Sequence, residues 1–334
     1  MQNIGDLARG LALQLRQNQI KSEMEDLTTE MTTGVKADPA RALAGDTTRL
    51  SDLQTGLSRI QAYTIANTEA ELIADTTQTV LGDIQSATEE LGVDFLKIDL
   101  ATSPEARSAL GFSARETFST MVSRLNTHQA GRSLFAGAAT DRAAVMPADD
   151  MIADLKTALS GAVTASDVEA RLDSWFHDAG GGFDTSGYTG ADTHVQPTRL
   201  SDTESVTLTV RADDDVFRHL LKHTAMGMLA TDPDLGFSDE VQAAVLSNAG
   251  QGIVNGQTGL TSLRADVGVV QERISDVQGR NDAQKTVLRV ARNAIAAADP
   301  YETAIRLEQV QAQLEALYTV TARNRQLSLV NYLR

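Results

Sequence analysis

Apolar residues recur at three- and four-residue steps at both ends of the chain, which is the spacing of one face of an α-helix. Residues 6–32 are predicted to form an amphipathic helix, and a second helix is expected from near Leu50 to roughly Leu100. After Pro300 the steps alternate between three and four residues almost to the last residue, as in a coiled-coil seam. Such helices cannot bury their stripes alone, so we expect the two ends to pair with each other, with neighbouring subunits, or with both.

Glycine and proline mark the breaks between these helices. Gly34 is expected to end the first helix, because glycine readily adopts the left-handed conformation found there. Ser103 before Pro104 is typical of an N-cap followed by proline at the first helical position, and it predicts a third helix that ends near Gly131.

The middle of the chain has a different pattern. Short helical patterns cover residues 151–159 and 166–176, and period-two alternation predicts strands over 194–200 and 206–210. Helical spacing returns from Asp215.

The fold class predicted from these patterns is mainly α, with an inserted α+β domain and long helices from both termini paired in a coiled-coil bundle. We expect a terminal coiled-coil domain of residues 1–40 and 298–334 and a helical bundle domain of residues 41–140 and 236–297. Residues 141–235 are expected to form an inserted mixed α/β outer domain.

Composition narrows the possible functions. The formal charge of −16 opposes binding to phosphate backbones and to anionic lipid surfaces, so we expect neither a nucleic-acid partner nor insertion into a membrane. The absence of cysteine excludes disulfides and thiolate metal sites. The opening residues lack a basic leader followed by an unbroken apolar run, so we expect no conventional secretory signal.

Candidate catalytic chemistry is sparse. His219 and His223 lie four residues apart in the stretch HLLKH, which lacks the glutamate of the HExxH zinc motif, and a solvated helix face is the favoured interpretation. The glycines at 180–182 are not followed by Lys-Ser or Lys-Thr, so they do not form a phosphate-binding loop. We therefore predict no catalytic residue, no metal site and no cofactor.

The terminal stripes supply the candidate functional residues instead. A stripe that reaches the chain ends leaves apolar residues where helices normally fray, and such residues need a partner. We predict an assembly interface made of Leu7, Leu11, Leu15, Leu307, Val310, Leu314, Leu317 and Leu327.

Several short stretches, taken in order along the chain, are similar to one family. They are Thr33-Gly34-Val35-Lys36 followed by Asp38-Pro39-Ala40, then GRSLFAG at 131–137, then Arg264 to Gly268 with Arg273-Ile274, and the ending at 325–333. Tyr188-Thr189-Gly190 and a strand pair ending at Val216-Phe217 add a middle-domain similarity.

The chain thereby resembles the flagellin superfamily, and within it the hook-associated protein 3 family, whose members join the flagellar hook to the filament. The stretch at 131–137 distinguishes this family from flagellin itself. The matching positions are Gly34, Asp38, Pro39, Gly131, Arg132, Phe135, Gly137, Arg264, Gly268 and Arg273.

The resemblance implies a structural role outside the cell. It implies a flagellin-like fold whose middle segment projects outward, and export by the flagellar secretion system without a cleaved signal peptide. Expected partners are the neighbouring hook-associated protein, flagellin, further copies of the chain in a ring, and an export chaperone.

Three other functions stay open on the sequence alone. A flagellin filament subunit is the nearest alternative, and an intracellular coiled-coil scaffold is another, which secretion would separate from both flagellar roles. An enzyme is the third, and a cleft around His219 and His223 would favour it.

Overall fold

The computed structural model describes residues 2–38 and 47–332, except for the side chains of residues 2–7, 9 and 324–332. The described part is mainly helical, as predicted. The elements, in chain order, are α1 (Gln2–Thr33), α2 (Thr48–Phe95), α3 (Pro104–Leu125), β1 (His128–Gln129), β2 (Arg132–Ser133), α4 (Ala148–Ala158), α5 (Ala165–His177), a π-helical turn (Phe183–Gly187), β3 (Thr198–Arg199), β4 (Ser205–Val206), α6 (Asp215–Ala230), α7 (Asp239–Ala296) and α8 (Pro300–Tyr332).

The chain divides into two compact units. The terminal unit comprises Met1–Ala62 and Asp282–Arg334, and the central unit comprises Tyr63–Asn281. Helices α2 and α7 each contribute residues to both units. The three-part division predicted from the sequence, with boundaries near residues 40, 140, 236 and 298, stays a prediction.

In the terminal unit, α1 pairs with α8 in antiparallel orientation. Gln17 contacts Tyr318 near one end of the pair, whereas Val35 bridges to Ala297 near the other. Ile20, Leu27 and Val310 are buried between the two helices. The predicted pairing of helices from the two chain ends is therefore confirmed for the described residues.

The core of the central unit is built mainly where α3 packs against α6. Phe118, Met121 and Leu125 from α3 are fully buried together with Phe217 and Leu221 from α6. These aliphatic and phenyl groups leave water almost completely, and each contributes about 1.5–3 kcal/mol to folding. Ser103 caps α3 as predicted, since its hydroxyl accepts a hydrogen bond from the Ala106 amide at 3.3 Å.

Two helices end earlier than predicted. Helix α2 stops at Phe95, which is fully buried, and Asp99 and Thr102 then form a turn in which the Asp99 amide donates to Thr102 Oγ1 at 3.1 Å. Helix α3 stops at Leu125, because the next residue, Asn126, accepts hydrogen bonds from the amides of Ala144 and Val145 at 2.8 and 2.9 Å. These side-chain contacts replace the next helical turn.

The predicted strands are much shorter than the alternation indicated. Only Thr198–Arg199 and Ser205–Val206 form a ladder. Burial still follows the period of two, because Val206 and Val210 are buried and Thr209 is exposed. The predicted strand pair ending at Val216-Phe217 is wrong: both residues lie in α6, where Phe217 packs edge-on against Phe135 at 6.1 Å.

Candidate assembly surface

The seam between α1 and α8 holds half of the predicted interface. Val310 is buried against Ile20 and Leu27, and three further predicted residues are partly buried beside it, namely Leu307, Leu314 and Leu317. These four side chains therefore cover the stripe of α1 within one chain. Burying a Val or Leu side chain in this way stabilises the pair by about 1.5–3 kcal/mol.

Leu11 and Leu15 lie on a different face of α1. Their side chains are 62% and 59% exposed, whereas Ile20, further along the same helix, is 4% exposed. Nine residues separate Leu11 from Ile20, which is about two and a half turns at 3.6 residues per turn, so the two side chains point to opposite sides. Helix α1 thus carries two apolar stripes, and α8 covers one of them. Leu7 and Leu327 lie outside the residues whose side chains are described.

The family positions around Gly34 hold the end of α1. Gly34 has φ of +68°, which ends the helix as predicted, and its carbonyl accepts a hydrogen bond from the Ala298 amide at 3.0 Å. The Lys36 amide donates to the Ala296 carbonyl at 2.8 Å, so the segment after α1 is tied to the turn between α7 and α8. Asp38 follows this joint, and Pro39 lies outside the described residues.

The GRSLFAG stretch forms a hairpin turn and a core anchor. Ala130 and Gly131 both have positive φ, at 51° and 78°, as two-residue hairpin turns require. Phe135 is fully buried, and Gly137 has φ of +58° beside the carbonyl oxygens of Ala191 and Thr193. This motif therefore shapes the central unit.

Arg132, in the same stretch, lies at a pocket of about 180 Å³ in the central unit. Its Nη1 is 3.6 Å from Glu69 Oε1 on α2, and both side chains are about half exposed. Ala66, Ala70, Ile73 and Leu208 supply much of the apolar lining.

The three family positions in α7 have separate environments. Arg264 Nη1 donates to Gln85 Oε1 on α2 at 2.5 Å, whereas Arg273 is exposed. A Cβ at Gly268 would meet open space, so packing within the described chain does not require glycine there.

His219 and His223 do not lie on a solvated face, so that expectation is wrong. His223 is buried, and His219 donates through Nε2 to the Gly252 carbonyl on α7 at 2.9 Å. Among the described residues no group of three or more His, Asp or Glu side chains could hold a metal ion. Over the same residues, no helix is long and apolar enough to cross a bilayer.

The predicted interface omitted the residues of α1 that contact α8. Ile20, Met24 and Leu27 contact the α8 residues, although only the first stripe of α1 was assigned to assembly. Their helical spacing in the sequence was the available signal. What the spacing could not provide was the change of face between Leu15 and Ile20.

Comparisons with known proteins agree with this architecture. Residues 251–333 match the family model of the bacterial flagellin C-terminal helical region. A solved structure described as a flagellar hook-associated protein from Vibrio parahaemolyticus covers 77% of this chain and 98% of its own, at 13% identity and a TM-score of 0.53. FlgL from Bacillus cereus covers 73% of this chain and 99% of its own, at 13% identity and a TM-score of 0.50.

No curated protein sequence matches the chain. The family model and the solved structures were found by independent comparisons, and both confirm the resemblance inferred from the short motifs. Residues 251–333 are similar to the C-terminal helical region of bacterial flagellins, and the chain shares the fold of the two solved flagellar structures.

Proposed function

We propose that this protein is a structural component of the bacterial flagellum that joins the hook to the filament. Its partners are then a neighbouring hook-associated protein on one side, flagellin on the other, and further copies of itself in a ring. It reaches this place through the flagellar secretion system, with an export chaperone and without a cleaved signal peptide, and it catalyses no reaction.

The exposed stripe on α1 carries this proposal. Leu11 and Leu15 stay more than half exposed although α8 covers the opposite face of the same helix. Leucines one helical turn apart form a continuous apolar strip, and contiguous exposed apolar patches mark surfaces that bind other proteins. We infer that the surface covering this strip belongs to another flagellar subunit, because the solved structures with a similar fold are flagellar hook-associated proteins.

The stripe can be tested without disturbing the seam. Leu11→Asp places a carboxylate on the exposed strip, and Gln14→Asp adds the same charge at an exposed neighbouring position. Leu314 is a poorer probe, because it packs against α1 in the same chain. Both purified variants should keep the helical content of the wild type, since neither site is buried.

In cells whose own gene is deleted, the Gln14→Asp variant should restore filaments. The Leu11→Asp variant should be secreted at full length and leave hooks without filaments, with flagellin released into the medium. A buried unpaired charge costs several kcal/mol, which is enough to break a subunit contact. Normal filaments with Leu11→Asp would refute the role of this stripe.

A flagellin filament subunit is the second candidate, because the matching family model is that of the flagellin C-terminal region. The deletion separates the two functions. Loss of a junction protein leaves flagellin in the medium, whereas loss of the filament subunit removes flagellin itself.

A further inference from the structure

Three histidines gather where α5 and α6 meet α7 in the central unit. His219 and His223 lie on α6 with their ring centres 4.2 Å apart, and His177 ends α5. The flagellar role proposed above makes no use of this cluster.

The hydrogen bonds fix which nitrogen of each α6 ring carries a proton. His219 Nε2 donates to the Gly252 carbonyl at 2.9 Å, and His223 Nδ1 donates to the His219 carbonyl at 2.8 Å. Carbonyl oxygens only accept, so both nitrogens must be protonated even in the neutral rings. A second proton on His223 therefore has to bind at Nε2.

The surroundings of His223 Nε2 are unfavourable for a charge. A Cβ on Gly252 would overlap the His223 ring at Nε2 and Cδ2, so this edge of the ring lies directly against the α7 backbone. The residue is 5% exposed, and burial lowers the pKa of His223 to about 3. An imidazolium at this position would lose its water without gaining an acceptor.

The charged groups around the cluster already form a balanced pair. Buried Lys222 on α6 binds Asp173 Oδ1 on α5 at 2.7 Å. His177 Nδ1 is 3.3 Å from the same carboxylate oxygen, and its Nε2 is 3.6 Å from Asp215 Oδ1. From α7 the contact is the backbone at Gly252. A proton on His223 would thus add a second cation beside buried Lys222, and the Asp173 carboxylate that pairs with Lys222 is about half exposed.

We propose that His177, His219 and His223, together with the Lys222–Asp173 pair, form an acid-sensitive joint that holds α5 and α6 to α7 at neutral pH and loosens in mild acid. The neutral rings of His219 and His223 are packed and hydrogen-bonded in the closed joint. Exposure of the His177 and His223 rings to water lets them bind protons, so acid favours the open or unfolded chain.

The direction and the size of the pH effect on stability follow from the linkage between protonation and folding. The pKa of His223 in the folded protein is below its value of 6.5 in the unfolded chain, so the contribution of the neutral ring is complete above pH 6.5 and falls as pH decreases below that value. Between pH 7.5 and 5.5 this one ring should raise the unfolding equilibrium constant about tenfold. Burial lowers the pKa of His177 as well, which adds in the same direction.

Urea unfolding of the full chain, followed by Trp175 fluorescence, tests the joint. Trp175 is the only tryptophan and lies on α5, between Asp173 and His177. His223→Asn keeps a donor near the position of Nδ1 but cannot gain a proton, and His194→Asn changes an exposed histidine as the control. The wild type and His194→Asn should show the tenfold or larger effect of pH, and His223→Asn should show less than about threefold.

An equal pH effect in His223→Asn and the wild type would refute the joint. If His223→Asn does not fold, a histidine titration of the wild type by NMR decides. The proposal then requires that the His223 ring stay neutral down to pH 5.5 in the folded chain, so that its chemical shift does not change. A titration of this ring near pH 6.5 overturns the proposal.

Discussion

Substitution of Gly137 by alanine tests a close approach between two backbone segments of the central unit. A methyl group there would meet the carbonyl oxygens of Ala191 and Thr193 at 2.5 and 2.6 Å, far inside normal contact distance. The same carbonyl of Thr193 accepts a hydrogen bond from the Ala138 amide at 2.8 Å, so the loop cannot move away without losing it. Gly137→Ala should therefore destabilise the central unit through both strain and a lost contact.

Gly131 is the matched control, because it shares the backbone conformation but not the crowding. Its φ of +78° lies in the same left-handed region, and a methyl group there would meet open space. Gly131→Ala should cost about 1–2 kcal/mol for the conformation alone. Gly137→Ala carries that cost as well, and disrupting one or two buried hydrogen bonds adds about 1–3 kcal/mol for each acceptor or donor left unpaired.

Thermal unfolding followed by Trp175 fluorescence measures the difference, since this tryptophan lies in the central unit. For a unit of this size each kcal/mol lowers Tm by about 2–4 °C. Gly137→Ala should thus unfold at least about 4 °C below Gly131→Ala. Equal midpoints would mean that the loop at Ala191 to Thr193 does not approach Gly137 as described.

Two further substitutions probe the central unit. Arg107 is 1% exposed and pairs with Asp239, whose side chain is 62% exposed; Asp239→Asn leaves the buried guanidinium without its carboxylate and should cost about 1–3 kcal/mol in urea unfolding. An unchanged midpoint would show that the contacts to Thr102 and Gln242 hold the guanidinium without the carboxylate. Ala66 lines the pocket beside Arg132, and Ala66→Leu should raise Tm by about 2–4 °C by filling it, whereas Ala106→Leu at an exposed helical site should leave Tm unchanged.

The helices were predictable because their signals are local. The cap at Ser103 and the stop at Gly34 depend on backbone conformations that a few neighbouring residues dictate. The ends of α2 and α3 were not predictable, because Phe95 and Asn126 are fixed by partners far away in sequence. A local pattern cannot show that the Asn126 side chain meets residues 144 and 145.

The candidate surface was predictable in part for the same reason. Leucine spacing identified the apolar positions of α1, but it could not separate Leu11, which is exposed, from Ile20, which α8 covers. The histidines show the opposite error. Polar side chains at helical spacing usually face water, and here Gly252 on α7 leaves room for the His223 ring, which no local rule could indicate.

The pairing of α2 with α7 inside the central unit shows how register can be specified where apolar spacing alone is ambiguous. Leu260, Val267 and Ile274 are buried at seven-residue steps, so a shift of one heptad would bury an equivalent row. Donors on α7 repeat with the same period, at Gln257, Arg264, Gln271 and Gln278, and they bond Thr88, Gln85, Asp75 and Glu71 of α2. The acceptors do not repeat: seven residues from Asp75 toward the C-terminus is Gly82, which has no side chain to accept a bond. A shift of one heptad toward the C-terminus of α2 would set Gln278, Gln271, Arg264 and Gln257 opposite Gln78, Gly82, Gly92 and Phe95. Three donors would lose their acceptors, which favours the observed register over that shifted one.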